Sequence, residues 1–380
     1  MSSSNHADVI VLGLGGMGSA AAAHVARRGH SVIGLEQFEP NHANGSSHGE
    51  TRIIREAYFE SPDYVPLLQR AYVLWRELEE LSGQDLMTIC GGLNVGTIES
   101  GFVSGSTKSA RQYGLTVEEM DAKEVGRRFP GFRLPDTLVA LFDPAAGFLR
   151  PERCVQAHLD LAAKHGAELR FNTRVLDWDS GSSGVKVQTT DGDYTADRLI
   201  IAAGPWSRDV ISGWDAPLEV WRIPNVHFDS SDADLFAPER CPVFLFEVPE
   251  GHYYGFPALP GQGVKIGRHD VGRVCTPETI DRVVTEDEIA MVRNVLDTYM
   301  PGASGPVIRT LTCMYTQTPD QHFIIDRHPD AANVVIACGF SGHGFKFAAA
   351  VGEALADLAL DGASRFDLGY LSAKRFAVSH

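Results

Sequence analysis

The chain has 380 residues, 44% of them apolar and 22% charged, the balance of a globular protein with room for about two domains and a substantial core. Its formal charge of −16, with no Lys/Arg run to break it, argues against a nucleic-acid or anionic-membrane partner and reads as plain solubility. A small anionic substrate requires instead a local cluster of cations.

Residues 1–6 are polar and the apolar residues after them already read as a strand, so no signal peptide is expected. Asp8 to Leu12 form that strand, which runs into the glycine turn 13–18, GLGGMG, and then an alanine-rich helix ending at Gly29. In a dinucleotide fold Gly13 makes the tight turn, Gly15 lets the backbone approach a pyrophosphate, and Gly18 lets the helix pack closely on its strand. The free N–H groups and positive end of that helix then hold the phosphates. A second strand, 31–35, delivers Glu36, about 20 residues on, as an acceptor for ribose hydroxyls. This stretch does not distinguish FAD from a nicotinamide.

Residues 40–55 are too rich in Gly, Ser and His for regular structure throughout and predict a loop leading into a short ordered segment. Apolar side chains at helical spacing (Tyr64, Leu67, Leu68, Ala71, Leu74, Trp75, Leu78) predict a helix over 64–81 that stops before Gly83, with Trp75 in the core. Residues 86–150 read as mixed strands and short helices, with Asp121 and Glu124 suited to a capping box. A helix from Pro151 to His165 follows, then a strand over 168–176 and a hairpin of 185–189 and 194–196 about Asp191-Gly192. Residues 198–206 read as a buried parallel strand whose Ala-Gly end faces a cofactor. Residues 218–275 are strand-rich and aromatic, Thr285 and Glu288 cap a helix to about Tyr299, and 333–360 make a closing strand, glycine turn and helix. The nucleotide-fold strands therefore come from three separated pieces of chain, with β-rich insertions between them. No apolar run approaches the roughly 18 residues that span a bilayer.

On residue type alone the candidates for chemistry stay open. Cys313 is one of six scattered cysteines (Cys90, Cys154, Cys241, Cys275, Cys313, Cys338) with no metal-ligand spacing, and buried packing is its ordinary role. Such a chain is expected to be reduced and cytoplasmic. Arg55 sits beside a small apolar patch, and Lys346 opens the last helix, where a cation opposes the helix dipole. Lys265 lies in an apolar-flanked strand whose alternation can turn it to solvent. Tyr254 and His269 can be satisfied buried groups.

Five segments carry a resemblance. They are 45–55 (GSSHGETRIIR), 253–257 (YYGFP), 264–269 (VKIGRH), 313–316 (CMYT) and 339–347 (GFSGHGFKF). Together, in this order and over nearly the whole chain, they are similar to the monomeric sarcosine oxidase and N-methyltryptophan oxidase family of FAD-dependent amine oxidases. The resemblance implies an α/β fold: a Rossmann-like FAD-binding domain (1–85, 147–215 and 320–380) and an antiparallel-β-rich substrate domain (86–146 and 216–319). It implies FAD bound covalently by a thioether to Cys313. Gly13, Gly15, Gly16, Met17, Gly18 and Glu36 would hold its adenosine diphosphate, with Val175 beside the adenine. His48, Arg52, Gly204 with Trp206, Met314, Gly342, Gly344, Phe345 and Lys346 would contact the flavin, the last helix aiming its positive end at the ring edge that becomes anionic on reduction.

The same resemblance gives Arg55 and Lys346 the substrate carboxylate, Tyr254 and His269 the amine, and Lys265 the activation of oxygen, where a fixed positive charge stabilises superoxide. Leu245 and Phe246, in a segment where relatives vary, are expected to shape the pocket. The implied reaction is sarcosine + O2 + H2O to glycine + formaldehyde + H2O2, the alternatives being oxidation of N-methyltryptophan, pipecolate or a fructosyl amino acid. Its partners are a small amino acid and O2, without nucleic acid, membrane or metal, in a monomer. A nicotinamide dehydrogenase or a non-enzymatic flavin module shares the N-terminal fingerprint but leaves Cys313, Lys265 and the two cations without a role.

Overall fold

The computed structural model describes residues 5–376. Val9 to Leu12 are all buried, so this stretch needs partners on both edges and cover on both faces, which a parallel sheet under helices provides. The strand His6–Leu12 accordingly lies between Val32–Leu35 and Gly192–Ile201, parallel to both. Glu168–Arg170 extends the sheet beyond Val32–Leu35, and Ala331–Cys338 extends it beyond Gly192–Ile201, again in parallel. Ile324–His328 closes that edge antiparallel, and Val175–Gly181 with Gly184–Thr189 form an antiparallel meander on the first half of Gly192–Ile201. Alternation splits the first strand between two cores. Val9 and Val11 pack among the helices Gly16–Arg27, Val65–Ser82, Pro151–Lys164 and Ala348–Leu360, and Ile10 and Leu12 face Trp178, Val185 and Leu218.

The turn after the first strand depends on two glycines. Gly13 has φ +85°, and a side chain there would also drive a Cβ to 2.5 Å from the Ala202 carbonyl oxygen. At Gly18 a Cβ would stand 1.7 Å from the Gly13 oxygen, so the helix seats directly on the turn.

A second sheet of nine strands is built from 92–143 and 219–317. Its order is Arg273–Cys275, Glu219–Phe228, Gly263–Arg268, Gly251–Leu259, Val243–Val248, Gly92–Gly96, Val139–Asp143 and Glu118–Asp121, with Val307–Gln317 along the other edge of Glu219–Phe228. Its pairs are antiparallel except that of Gly92–Gly96 with Val243–Val248. The helix Glu286–Tyr299 packs on it, opened by the reciprocal capping box of Thr285 and Glu288. Three short strands, Arg52–Ile54, Gly147–Leu149 and Met87–Ile89, make a third sheet. Among the described residues no helix is long and apolar enough to cross a membrane.

Three local expectations are corrected. Residues 168–176 are two strands, because Asn172 (φ +55°) turns the chain so that its N–H reaches the Phe38 oxygen and that of Thr173 reaches the Glu36 oxygen. The last helix opens with a 3-10 turn, Phe345–Phe347, and becomes α-helical only at Ala348. Asp121 caps the helix Ala122–Arg128, but Glu124 pairs with Arg127 instead of closing the box. Trp75 is fully buried, and its indole N–H also donates to the Lys346 oxygen.

Gly18→Ala is expected to lower the urea midpoint by the equivalent of about 1–3 kcal/mol, the ordinary cost of overpacking against backbone that cannot retreat. An unchanged midpoint would mean that the turn relaxes freely.

Candidate active site

One continuous cavity of about 480 Å³ runs between the two sheets. Gly13, Gly15, Gly16, Met17, Glu36, Val175 and Gly204 line it. Arg52, Arg55, Tyr254, His269, Cys313, Met314, Gly342, Gly344, Phe345 and Lys346 line it too. At the glycine turn the Gly16 N–H donates to Ser47 Oγ at 3.0 Å. Glu36 ends the second strand with Oε2 accepting from the Leu14 N–H at 2.9 Å and Oε1 from Phe38 at 3.2 Å. Gly18 packs behind the turn and is not on the wall.

Cys313 comes from Val307–Gln317, opposite Ile223. It is buried, and its Sγ lies 3.4 Å from Arg52 Nη2. The same guanidinium donates to the Ser46 oxygen (3.0 Å) and the Thr51 oxygen (2.8 Å), and Ser46 Oγ donates to the Met314 oxygen, so residues 46–52 and the cysteine strand are bound together. Tyr315, two residues on, shares the face of Cys313. Its hydroxyl lies 3.4 Å from His269 Nδ1, and the Tyr254 hydroxyl donates to Asn225 Oδ1 at 2.8 Å. Burial pushes His269 down to about 4 and both tyrosines up. This part of the wall is a neutral imidazole with two protonated phenols at neutral pH.

Arg55, Lys346 and Glu60 form one cluster on the wall. Arg55 is 3% exposed, lies between the rings of Tyr58 (4.2 Å) and Phe59 (4.1 Å), and holds Glu60 in a two-pronged pair of 2.8 and 2.7 Å. Lys346 Nζ donates to the His343 oxygen at 2.6 Å. Burial, with Arg55 beside it, pushes Lys346 down to about 7 against the pull of Glu60. Glu60 is held at about 2 despite burial, because Arg55, His343 and Lys346 surround it.

Glu60, Phe59, Phe102 and Tyr315 are wall residues that sequence reasoning passed over. A signal existed for two of them. A buried arginine needs a carboxylate within reach, and a strand places residue i+2 on the face of residue i.

Several expected residues lie off the wall. Lys265 is not solvent-facing: it is 2% exposed and donates to the Gly49 oxygen (2.7 Å) and to the Thr51 oxygen and Oγ1 (3.3 Å each). Val264, Lys265, Ile266 and Gly267 are all buried in succession, so both faces of its strand are covered. Burial, and then Arg52, push its ammonium well below the usual lysine range. The Phe256 ring, which is on the wall, lies 4.9 Å from Nζ. His48 is also behind the wall, its Nε2 without a hydrogen-bond partner, and burial with Arg52 beside it pushes it down to about 3. Phe246 packs with Phe244 and Tyr299 on the far face of the sheet, so alternation brings only Leu245 to the cavity.

The cavity fits FAD on its own terms. The open side of Gly15, where a Cβ would meet nothing nearer than Ser47 Oγ at 3.4 Å, and a buried thiol, Cys313, both line it. Among the described residues no group of His, Cys, Asp and Glu is disposed to hold a metal. The chain matches the family model of FAD dependent oxidoreductases (DAO) over residues 8–358. It is 45% identical to a monomeric sarcosine oxidase of Streptomyces avermitilis over 98% of both chains. It is 37% identical to an N-methyl-L-tryptophan oxidase of Escherichia coli over 97% of this chain and 99% of that one. Among solved structures, NikD, an unusual amino acid oxidase essential for nikkomycin biosynthesis, superposes with a TM-score of 0.85 at 26% identity over 97% of each chain. The chain therefore belongs to the DAO family of FAD dependent oxidoreductases, with monomeric sarcosine oxidases and N-methyl-L-tryptophan oxidases among its relatives.

Proposed function

We propose that the protein oxidises secondary N-methyl amino acids, sarcosine first among them, to the primary amino acid and formaldehyde with release of H2O2. The observation that carries this reading is the pair of buried cations, Arg55 and Lys346, on the wall of the cavity that also holds Cys313. When bound, FAD takes two electrons from the amine C–N unit and passes them to O2. The chain's part is to bind, orient and keep water out. Arg55 offers the carboxylate a planar fork and Lys346 a point charge. The neutral His269 and the protonated Tyr254 and Tyr315 face the amine, while Glu60, the ionised carboxylate near His269, is tied up by Arg55. Lys265, behind Phe256, supplies fixed positive charge where oxygen is reduced. We read the two sheets as two domains with the discontinuous boundaries given above, acting as a cytoplasmic monomer.

A covalent thioether at Cys313 is part of the same proposal, supported by the buried Sγ beside Arg52. Acid-precipitated wild-type protein is expected to stay yellow, and Cys313→Ala to lose its colour on precipitation. Flavin released intact from the wild type would overturn the attachment.

Peroxide release across a panel of N-methyl, cyclic and fructosyl amino acids tests the substrate, with sarcosine expected to give the highest kcat/KM. In that assay Arg55→Ala is expected to raise KM about 100-fold, the equivalent of losing charge-assisted hydrogen bonds, with flavin retained. An unchanged KM would remove Arg55 from the site.

Lys346 supplies a pH signature. Its ammonium is the binding form and loses its proton near pH 7 in the free enzyme. Affinity for a carboxylate without an amine, such as propionate, should therefore hold below that pH and fall by about tenfold per unit above it, a slope absent from Lys346→Met. Titrating the flavin absorbance with propionate from pH 6 to 9 measures it.

A further inference from the structure

The loop that receives Lys265 is itself fixed from behind. Its Gly49–Glu50 peptide presents its carbonyl oxygen to Lys265 Nζ at 2.7 Å. The N–H at the other end of that same peptide, on Glu50, donates to both carboxylate oxygens of Glu152 at 3.1 and 3.2 Å, and the Gly49 N–H donates to Oε1 at 2.6 Å. Glu152 stands in the first turn of Pro151–Lys164, an element of the nucleotide half, while Lys265 belongs to the nine-stranded sheet. The peptide is thus a dipole gripped by a carboxylate at its positive end and an ammonium at its negative end. It is also held in an unfavourable conformation. Gly49 has φ +96° and Glu50, a non-glycine residue, has φ +68°. A flipped peptide would relieve Glu50 but would turn the carbonyl away from Lys265 and the N–H away from Glu152.

We propose that Glu152 is a positioning residue for Lys265, holding the Gly49–Glu50 peptide so that its carbonyl fixes the ammonium behind the cavity wall. The inference rests on the reading of Lys265 as the group that serves oxygen. Within the loop the Thr51 N–H also donates to the Gly49 oxygen, at 2.8 Å, so the carbonyl has one local tie. Glu152 is the side chain that holds the N–H end of the peptide. The Glu50 side chain pairs with Arg309, and the Arg52 guanidinium turns to Ser46, Thr51 and Cys313. Burial and the Arg52 charge both disfavour the ammonium of Lys265, so loss of the Gly49 carbonyl would free a group already reluctant to hold its proton.

The test measures the two half-reactions of flavin-loaded enzyme separately and the exposure of Lys265 directly. E152A should slow reoxidation by O2 about 10- to 100-fold, as expected when a stabilising charge is misplaced by an ångström, while anaerobic reduction by sarcosine stays within about twofold. E152Q keeps an acceptor oxygen for both N–H groups and should reoxidise within about threefold of wild type, since the proposed role is orientation. Pulse acetylation read by peptide mass spectrometry should label Lys265 faster in E152A than in wild type or E152Q, with or without flavin. Should E152A fail to fold, E152D withdraws the same acceptors by one methylene and takes its place. Wild-type reoxidation in E152A, equal loss of both half-reactions, or an E152Q as slow as E152A would each overturn the proposal. K265M separates the two ideas: slow K265M with normal E152A rejects the positioning role alone, whereas normal reoxidation in K265M rejects the reading of Lys265 and this inference with it.

Discussion

Positive charge taken out of water is the constraint on which the site depends. Arg52, Arg55, Lys265 and Lys346 all stand on or just behind the wall of one cavity, in a chain whose net charge is −16. Burying a cation is costly unless it is paired or richly hydrogen-bonded. Backbone carbonyls meet that cost for three of them, His343 for Lys346, Gly49 and Thr51 for Lys265, and Ser46 and Thr51 for Arg52, while Arg55 is paired with Glu60 and donates once more to the Ala57 oxygen. Carbonyl dipoles solvate a cation without neutralising it. Glu60, paired with Arg55, also lies on the wall, as do Glu36, Glu39, Asp177, Asp209 and Glu278. The positive charge open to an amino-acid carboxylate or an electron-rich cofactor is therefore local to the cations held by carbonyls.

Those carbonyls belong to irregular backbone, which explains why the loop 46–52 is so heavily tied. Ser47 binds the glycine turn, Ser46 the cysteine strand, Arg52 the thiol, and Gly49 and Thr51 the lysine of the second sheet. A loop holding carbonyls toward cations must resist the peptide flips that would satisfy them more cheaply in solvent. The left-handed Glu50 and the bridging Glu152 mark where that resistance is concentrated. One short connection thereby ties the glycine turn to the cysteine strand and to Lys265.

The same distinction separates what was legible in the sequence from what was not. The first strand, glycine turn and helix were readable because each glycine answers a local steric demand, at Gly13 and Gly18 against atoms of the turn itself and its neighbouring strand. The helix Val65–Ser82 and the capping box at Thr285 were readable because their spacing is intrinsic. The break at Asn172 was not, since it is dictated by carbonyls of residues 36 and 38 that are distant in sequence. Nor could alternation decide the side of Lys265, because a strand with covered faces has no solvent side to choose. The family resemblance brought the cations and Cys313 into view, but Glu60 carries no motif. It becomes visible only when Arg55 is known to be buried and its fork is traced to a partner.

Glu60 changes how the proposed carboxylate clamp must work. A substrate carboxylate arriving at Arg55 meets a guanidinium whose fork is already filled by a tethered carboxylate at 2.7–2.8 Å. Arg55 therefore binds a substrate carboxylate only by sharing its fork with Glu60, and part of its affinity is lost to that exchange. The second cation breaks that balance. Lys346 donates only to a backbone oxygen, at 2.6 Å, and sits beside Glu60 and Arg55 with its proton held loosely. An incoming carboxylate adds negative charge to a cluster of two cations and one anion, which firms the Lys346 proton and leaves the cluster neutral. Two cations are needed because one is already engaged, and selectivity for anionic substrates follows from charge balance as much as from contact.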